Sequence, residues 1–161
     1  MARSSSPVAF YQAGSYCAEE SVGYLMKRVM LSIVAQTDKR LAVLDLTMAQ
    51  WGPLMRLSQV GQAPVAELAR WSNTDAGAMT RLLDRLEKKG LCKRVRSLDD
   101  RRVVMVELTD DGRAALEDVP AVLSEVMNLH LAGFSKSEWQ ALKNYLHRMA
   151  ETGEALRDAG N

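Results

Sequence analysis

Residues 75–90, DAGAMTRLLDRLEKKG, decide the fold. Met79, Leu82, Leu83 and Leu86 recur at the spacing of one buried helix stripe, while Gly77, Ala78, Arg81, Asp84, Arg85 and Lys88 lie away from it. Ser72, Asn73 and Thr74 supply cap candidates at the start, and Gly90 is placed to end the helix as a left-handed residue. The pattern predicts a helix with an apolar inner face and a mostly cationic outer one.

Working upstream, Pro64 suits the first position of a short helix carrying Val65, Leu68 and Trp71 on one side. Two short helices joined by a tight polar turn make a helix-turn-helix. Before them, Leu46 to Trp51 reads as a helix entry. Thr47 and Gln50 have the spacing of a capping box, Leu46 and Trp51 that of a hydrophobic staple, and Pro53 lies inside the helix and removes a donor. Val22, Leu25, Met26, Val29, Ile33 and Leu41 predict a long first helix over about residues 16–43.

Downstream of Gly90 the period changes to two. Leu91, Lys93 and Val95 alternate with Cys92, Arg94 and Arg96, a turn falls at residues 97–100, and Arg102 to Leu108 returns with Val103, Val104, Met105 and Val106 as a β-branched strand. This is a hairpin attached to the helix-turn-helix. Thr109 with Asp110 and Asp111 opens a fifth helix to about residue 131, bent at Pro120. A final helix follows a second capping box, Ser135 with Glu138. The first, fifth and last helices carry apolar stripes that one chain cannot fully bury, which predicts a dimer built from the chain ends. The expected fold is mainly α with a small β-hairpin wing. It has an N-terminal segment and dimerisation helix (1–45), a winged helix-turn-helix DNA-binding region (46–112) and C-terminal dimerisation helices (113–161).

The chain has 161 residues, 47% hydrophobic and 25% charged, which excludes a small staple-dependent scaffold and a disordered chain. No apolar run is long enough for a bilayer helix, and residues 1–6 lack the apolar core of a secretory signal, so the expected location is the cytoplasm with no membrane partner. There is no phosphate loop, nucleophile elbow or metal-ligand spacing, so neither an enzyme nor a cofactor is expected. Net charge is only +1, but residues 79–104 hold nine cations (Arg81, Arg85, Lys88, Lys89, Lys93, Arg94, Arg96, Arg101, Arg102) against four anions (Asp84, Glu87, Asp99, Asp100). Such a local excess is the footprint of a nucleic-acid-binding face. A solvated face with pairs such as Asp84 to Lys88 is the plainer alternative.

Residues 46–112 resemble the multiple-antibiotic-resistance-regulator (MarR) family of winged-helix transcription regulators. Asp75, Gly77, Ala78, Thr80, Arg81, Leu83, Asp84, Arg85, Leu86 and Gly90 follow that family's recognition-helix pattern. Asp100-Arg101-Arg102, Leu108-Thr109 and Gly112 follow its wing signature, and Leu46-Thr47 with Gln50-Trp51 resemble its entry to the second helix. The resemblance implies a homodimeric, non-enzymatic regulator that reads a pseudo-palindromic duplex and is often released by a small aromatic or phenolic ligand. Some members sense oxidants through a cysteine instead.

The expected DNA contacts are Thr74, Asp75, Gly77, Ala78, Thr80, Arg81, Asp84, Arg85 and Lys88 on the recognition helix. Gly77 and Ala78 are small enough for close entry into the major groove. Thr80 and Arg81 are placed for base edges, Arg85 and Lys88 for phosphate or a second base, and Asp84 to hold an arginine in its rotamer. On the wing, Asp100 and Arg102 point the same way, suiting an arginine in a narrow minor groove, and Arg101 meets a phosphate. A ligand pocket is expected where the first, second and fifth helices meet, lined by Leu25, Arg28, Trp51, Met55 and Arg56. Two other readings stand: an oxidant sensor through Cys17, despite Glu19 and Glu20 beside it, and a winged helix that binds only protein. Cys92 reads as a small buried hydrophobe.

Overall fold

The computed structural model describes residues 9–96 and 103–160. The chain divides into two compact units, Met1–Glu117 and Asp118–Asn161. The first contains α1 (Val22–Leu41), α2 (Met48–Val60), β1 (Gln62–Pro64), α3 (Val65–Trp71), α4 (Ala76–Lys88), β2 (Cys92–Arg96), β3 (Val104–Leu108) and α5 (Asp110–Ala115). The second contains α6 (Val119–His130) and α7 (Lys136–Ala159). No helix among the described residues is long and apolar enough to cross a membrane.

The first unit closes around Leu41, Leu46, Leu54, Leu57, Leu68, Met79, Leu83, Leu86 and Val106, all at most 2% exposed. Residues from five elements and the corner before α2 thus share one core, with the leucine stripe of α4 facing inward as its spacing predicts. The strands form an antiparallel sheet in the order β1-β3-β2, with Ala63 opposite Val106 and Cys92 opposite Leu108. The two-stranded hairpin expected from sequence is therefore three-stranded. β1 escapes a periodicity reading because it is three residues long and ends in proline. Proline is tolerated there because β1 lies at the sheet edge, where its missing N–H breaks no ladder.

Three other local expectations change. α1 begins at Val22 rather than near residue 16, because the Ser21 hydroxyl accepts the Tyr24 N–H at 3.2 Å; residues 13–15 and 18–20 form 3-10 turns. α2 does begin after Thr47, but neither half of the expected capping box forms. Asp38 Oδ1, reaching from α1, accepts the Met48 N–H at 2.5 Å, and Gln50 Oε1 is buried without a partner. The single fifth helix is two helices, with Pro120 in the first turn of α6, where a missing donor costs nothing. The Ser135–Glu138 box opening α7 forms in full.

Candidate nucleic-acid interface

α4 is capped by Asp75, whose Oδ1 accepts the Ala78 N–H at 2.7 Å; Asn73, in the left-handed region at φ 50°, turns the chain into it. Thr74, Asp75, Gly77, Thr80, Arg81, Asp84, Arg85 and Lys88 are exposed and Ala78 is half-buried, so the residues expected on the outer face are together there. The Thr80 hydroxyl donates to the Ala76 carbonyl at 2.8 Å and keeps its lone pairs for an incoming donor. A Cβ at Gly77 would stand 3.1 Å from Asp75 Oδ1 and 3.5 Å from Arg81 Nη1. The guanidinium of Arg81 thus lies back over Gly77 toward the entering end of the helix.

The carboxylates of α4 face a partner that sequence spacing did not suggest. Arg94, on β2, bonds Asp84 Oδ1 through Nη2 at 2.6 Å and Glu87 Oε2 through Nη1, and its backbone N–H donates to Glu87 Oε1 at 3.0 Å. Burial works against the guanidinium charge, but the bonds to Asp84 and Glu87 prevail and hold its pKa above the usual arginine value. Asp84 therefore steadies an arginine of the wing strand, not Lys88 or a neighbour on its own helix. Lys89 pairs with Asp45 at 3.0 Å and Lys93 with Glu107 at 3.1 Å. Arg81, Arg85, Lys88 and Arg96 are exposed and carry no ion pair among the described residues. Arg96 belongs to the basic segment, and strand alternation places it on the same side of β2 as Arg94. The expected wing contacts Asp100, Arg101 and Arg102 lie outside the described residues.

The base of the wing is locked by Gly90, Leu91, Thr109 and Gly112. Gly90 has φ 74°; Thr109 Oγ1 donates to the Gly90 carbonyl at 2.5 Å and accepts the Gly112 N–H at 3.0 Å. A Cβ at Gly112 would fall 1.9 Å from the Leu91 carbonyl oxygen. Cys92 is buried beside this junction, and burial, with the charge of Glu87 adding to it, pushes its thiol up to about 11. Cys17 is exposed.

Of the residues expected to line a ligand pocket, Arg28 stacks over the Tyr24 ring at 5.9 Å on α1, and Leu25 is exposed there. On α2, Trp51 and Met55 are half-buried, and Arg56 Nη2 bonds Glu67 Oε1 of α3 at 3.1 Å. A separate cavity of about 320 Å³ is bordered by Gly61, Lys93, Glu107, Thr109, Asp110 and Arg113, and both of its cations are already paired.

A helix-turn-helix whose second helix presents an exposed cationic face, followed by a strand-built wing, defines a winged-helix DNA-binding protein. Residues 46–104 match the family model described as the MarR family. The HTH-type transcriptional repressor MdtR of Bacillus subtilis (strain 168) is 29% identical over 142 residues, covering 84% of this chain and 92% of that one. A mutant of MarR from E. coli complexed with operator DNA superposes with a TM-score of 0.75 at 28% identity, over 80% of this chain and 92% of that chain. Bordetella bronchiseptica BpsR, whose DNA binding is regulated by 6-hydroxynicotinic acid, gives a TM-score of 0.77 at 27% identity, over 84% of this chain and 96% of that chain. Residues 46–104 are thus a MarR-family domain, and the chain around them is similar over 80% of its length to MarR-type DNA-binding transcriptional regulators, a non-enzymatic class.

Proposed function

We propose that the protein is a homodimeric repressor whose paired α4 helices read a pseudo-palindromic operator, and that a small aromatic or phenolic ligand releases it. The observation that carries the reading is the outer face of α4: Arg81, Arg85 and Lys88 are exposed and unpaired among the described residues, while Asp84 and Glu87 are held by Arg94. Such a face presents net positive charge to phosphates despite its carboxylates. Arg81, with Thr80 and the small Gly77 and Ala78, reads base edges; Thr74 and Asp75 sit at the entering end. Arg85, Lys88 and Arg96 neutralise phosphates, Arg102 with Asp100 enters the minor groove, and Arg101 meets the backbone beside it. A chain that binds only protein has no need of an exposed, unpaired arginine and lysine row on this helix.

The dimer reading is supported by the apolar surface each unit leaves exposed. α1 exposes Leu25, Met26, Val29, Met30 and Leu31, and α7, with no buried residue, exposes Trp139, Leu146 and Met149. A second copy covers these stripes and sets two α4 helices about one duplex turn apart. The ligand reading rests on BpsR and on the apolar, aromatic and cationic side chains of α1 and α2, Leu25, Arg28, Trp51, Met55 and Arg56. A ligand releases DNA only by preferring the DNA-incompetent state, and a tenfold loss of affinity requires about 1.4 kcal/mol of that preference.

The test is sedimentation together with binding to a duplex selected by the protein from a randomised pool. A dimer is expected, and five base pairs inserted between half-sites should abolish tight binding; a monomer at micromolar concentration, or indifference to the insertion, contradicts the reading. Salicylate and 6-hydroxynicotinate, titrated while Trp fluorescence is followed, should bind more weakly in the presence of the duplex by the factor they weaken DNA binding. Equal binding with and without DNA removes the ligand from the account.

A further inference from the structure

Lys88 and Lys89 are neighbours in sequence, both exposed, that differ in their partners. Lys88 is exposed on the outer face of α4, whereas Lys89, the C-cap of that helix, sends its ammonium to the corner that joins α1 to α2. There it donates to the Asp45 carbonyl oxygen and lies 3.0 Å from Asp45 Oδ1. The corner is itself tightly built. α1 passes into a 3-10 turn, Ala42–Leu44, and Asp45 closes it in the left-handed region at φ 52°, its N–H bonded to the Ala42 carbonyl at 3.1 Å. The Leu46 N–H returns to the Leu41 carbonyl at 3.1 Å, and Asp38 takes the Met48 N–H. Asp45 is thus fixed to the end of α1, and Lys89 fixes the end of α4 to Asp45.

We infer that Lys89 is a positioning residue that sets the angle between the recognition helix and α1, and through it the half-site spacing the protein accepts. The inference rests on the homodimer reading above, in which α1 belongs to the dimer interface. The mechanical basis is leverage. α4 has 13 residues and is about 20 Å long, so a rotation of about 10° at one end moves the other by about 3.4 Å, the rise of one base pair. A bond that restrains a few degrees at the corner therefore bears on register along the duplex. It contributes little to global stability, because the Asp45 side chain is 88% exposed. With its charge engaged by Asp45, Lys89 is also withdrawn from the set of phosphate-neutralising cations.

The probes are the duplex selected by the wild-type protein from a randomised pool, and its derivatives with one base pair inserted or removed between half-sites. Lys89→Met keeps the aliphatic stem and loses the ammonium. Asp45→Asn keeps a residue that tolerates the left-handed backbone and loses the carboxylate. Each variant should be a folded dimer whose penalty for altered spacing shrinks, by about two- to fivefold in Lys89→Met, the range an exposed ion pair supports, and by less in Asp45→Asn. The salt dependence of binding should remain that of wild type. A loss equal at all spacings, a salt slope in Lys89→Met lowered by about 0.9 as for a phosphate contact, or no change in either variant overturns the inference. A wild-type protein that is monomeric or indifferent to spacing overturns the homodimer reading itself, and is seen before any variant is made.

Discussion

Arg94 Nη2 stands 2.6 Å from Asp84 Oδ1, so the wing strand and the recognition helix are joined by a charge pair on the flank of α4. With Glu87 as a second acceptor, Arg94→Ala leaves two carboxylates uncompensated. The Arg94 side chain is only 27% exposed while its partners are more open, so the expected loss of stability is about 1–2 kcal/mol after allowance for solvent screening. Urea denaturation of Arg94→Ala beside Asp84→Ala checks this. Asp84→Ala should cost less, because Glu87 still holds the guanidinium; equal costs would show that Glu87 contributes nothing.

Gly112 and Gly90 are required for different reasons, and substitutions separate them. At Gly112 a Cβ meets the Leu91 backbone at 1.9 Å, so Gly112→Ala should cost about 2–3 kcal/mol, and Gly112→Asn at least as much. At Gly90 no heavy atom comes within 4 Å and only the left-handed backbone objects, so Gly90→Ala should cost about 1 kcal/mol and Gly90→Asn less. A thermal unfolding series reads both; Gly112→Ala at wild-type stability would contradict the close approach.

The two thiols should differ sharply toward a disulfide reagent. Cys17 is exposed and should react in the native protein at pH 8, so the native Cys17→Ser variant should show no fast thiol until denatured. Cys92, raised from its ordinary 9.0 to about 11, stays neutral while the unfolded chain ionises. Its contribution to stability is therefore complete below pH 9.0 and is lost as pH rises toward about 11. Cys92→Ala should remove this part of the alkaline destabilisation; an unchanged alkaline profile would show that the thiol does not report it.

Glu138 completes the capping box of α7, and hydrogen bonds from the Ser135 hydroxyl and backbone N–H hold its carboxyl below the usual range. A carboxylate with a lowered folded pKa stabilises above its unfolded value, and that contribution disappears as pH falls through the folded one. Relative to intrinsic exchange at the same pH, the protection of the first-turn amides of α7 should fall in acid, and Glu138→Gln should flatten that dependence. A turn whose exchange protection ignores pH would contradict the box.

Legibility in the sequence followed locality. The stripe Met79, Leu82, Leu83 and Leu86, the left-handed Gly90, the buried Cys92 and the Ser135–Glu138 box are set by residues within a turn or two of each other, and each is where its spacing puts it. What was missed comes from partners far away in the chain. β1 exists because β3 pairs with it; α2 is capped by Asp38 rather than by Thr47; Asp84 bonds Arg94. The same limit explains the basic segment. The sequence puts nine cations in one segment, but only folding separates Lys89, Lys93 and Arg94, tied to carboxylates, from Arg81, Arg85, Lys88 and Arg96, which have no such tie among the described residues. For Thr109 and Gly112 the family pattern was legible without its reason, which is the packing of α5 on the Leu91 carbonyl.

Whether the outer face of α4 reads sequence is decided by comparing Arg81→Ala and Lys88→Ala on the selected operator and on random duplex across a salt series. Arg81→Ala should lose about 1–3 kcal/mol on the operator and much less on random DNA, flattening discrimination between related sites. Lys88→Ala should weaken both duplexes alike and lower the salt slope by about 0.9. If Arg81→Ala loses the same factor on random DNA as on the operator, α4 does not read bases through Arg81 and the account is wrong at its centre.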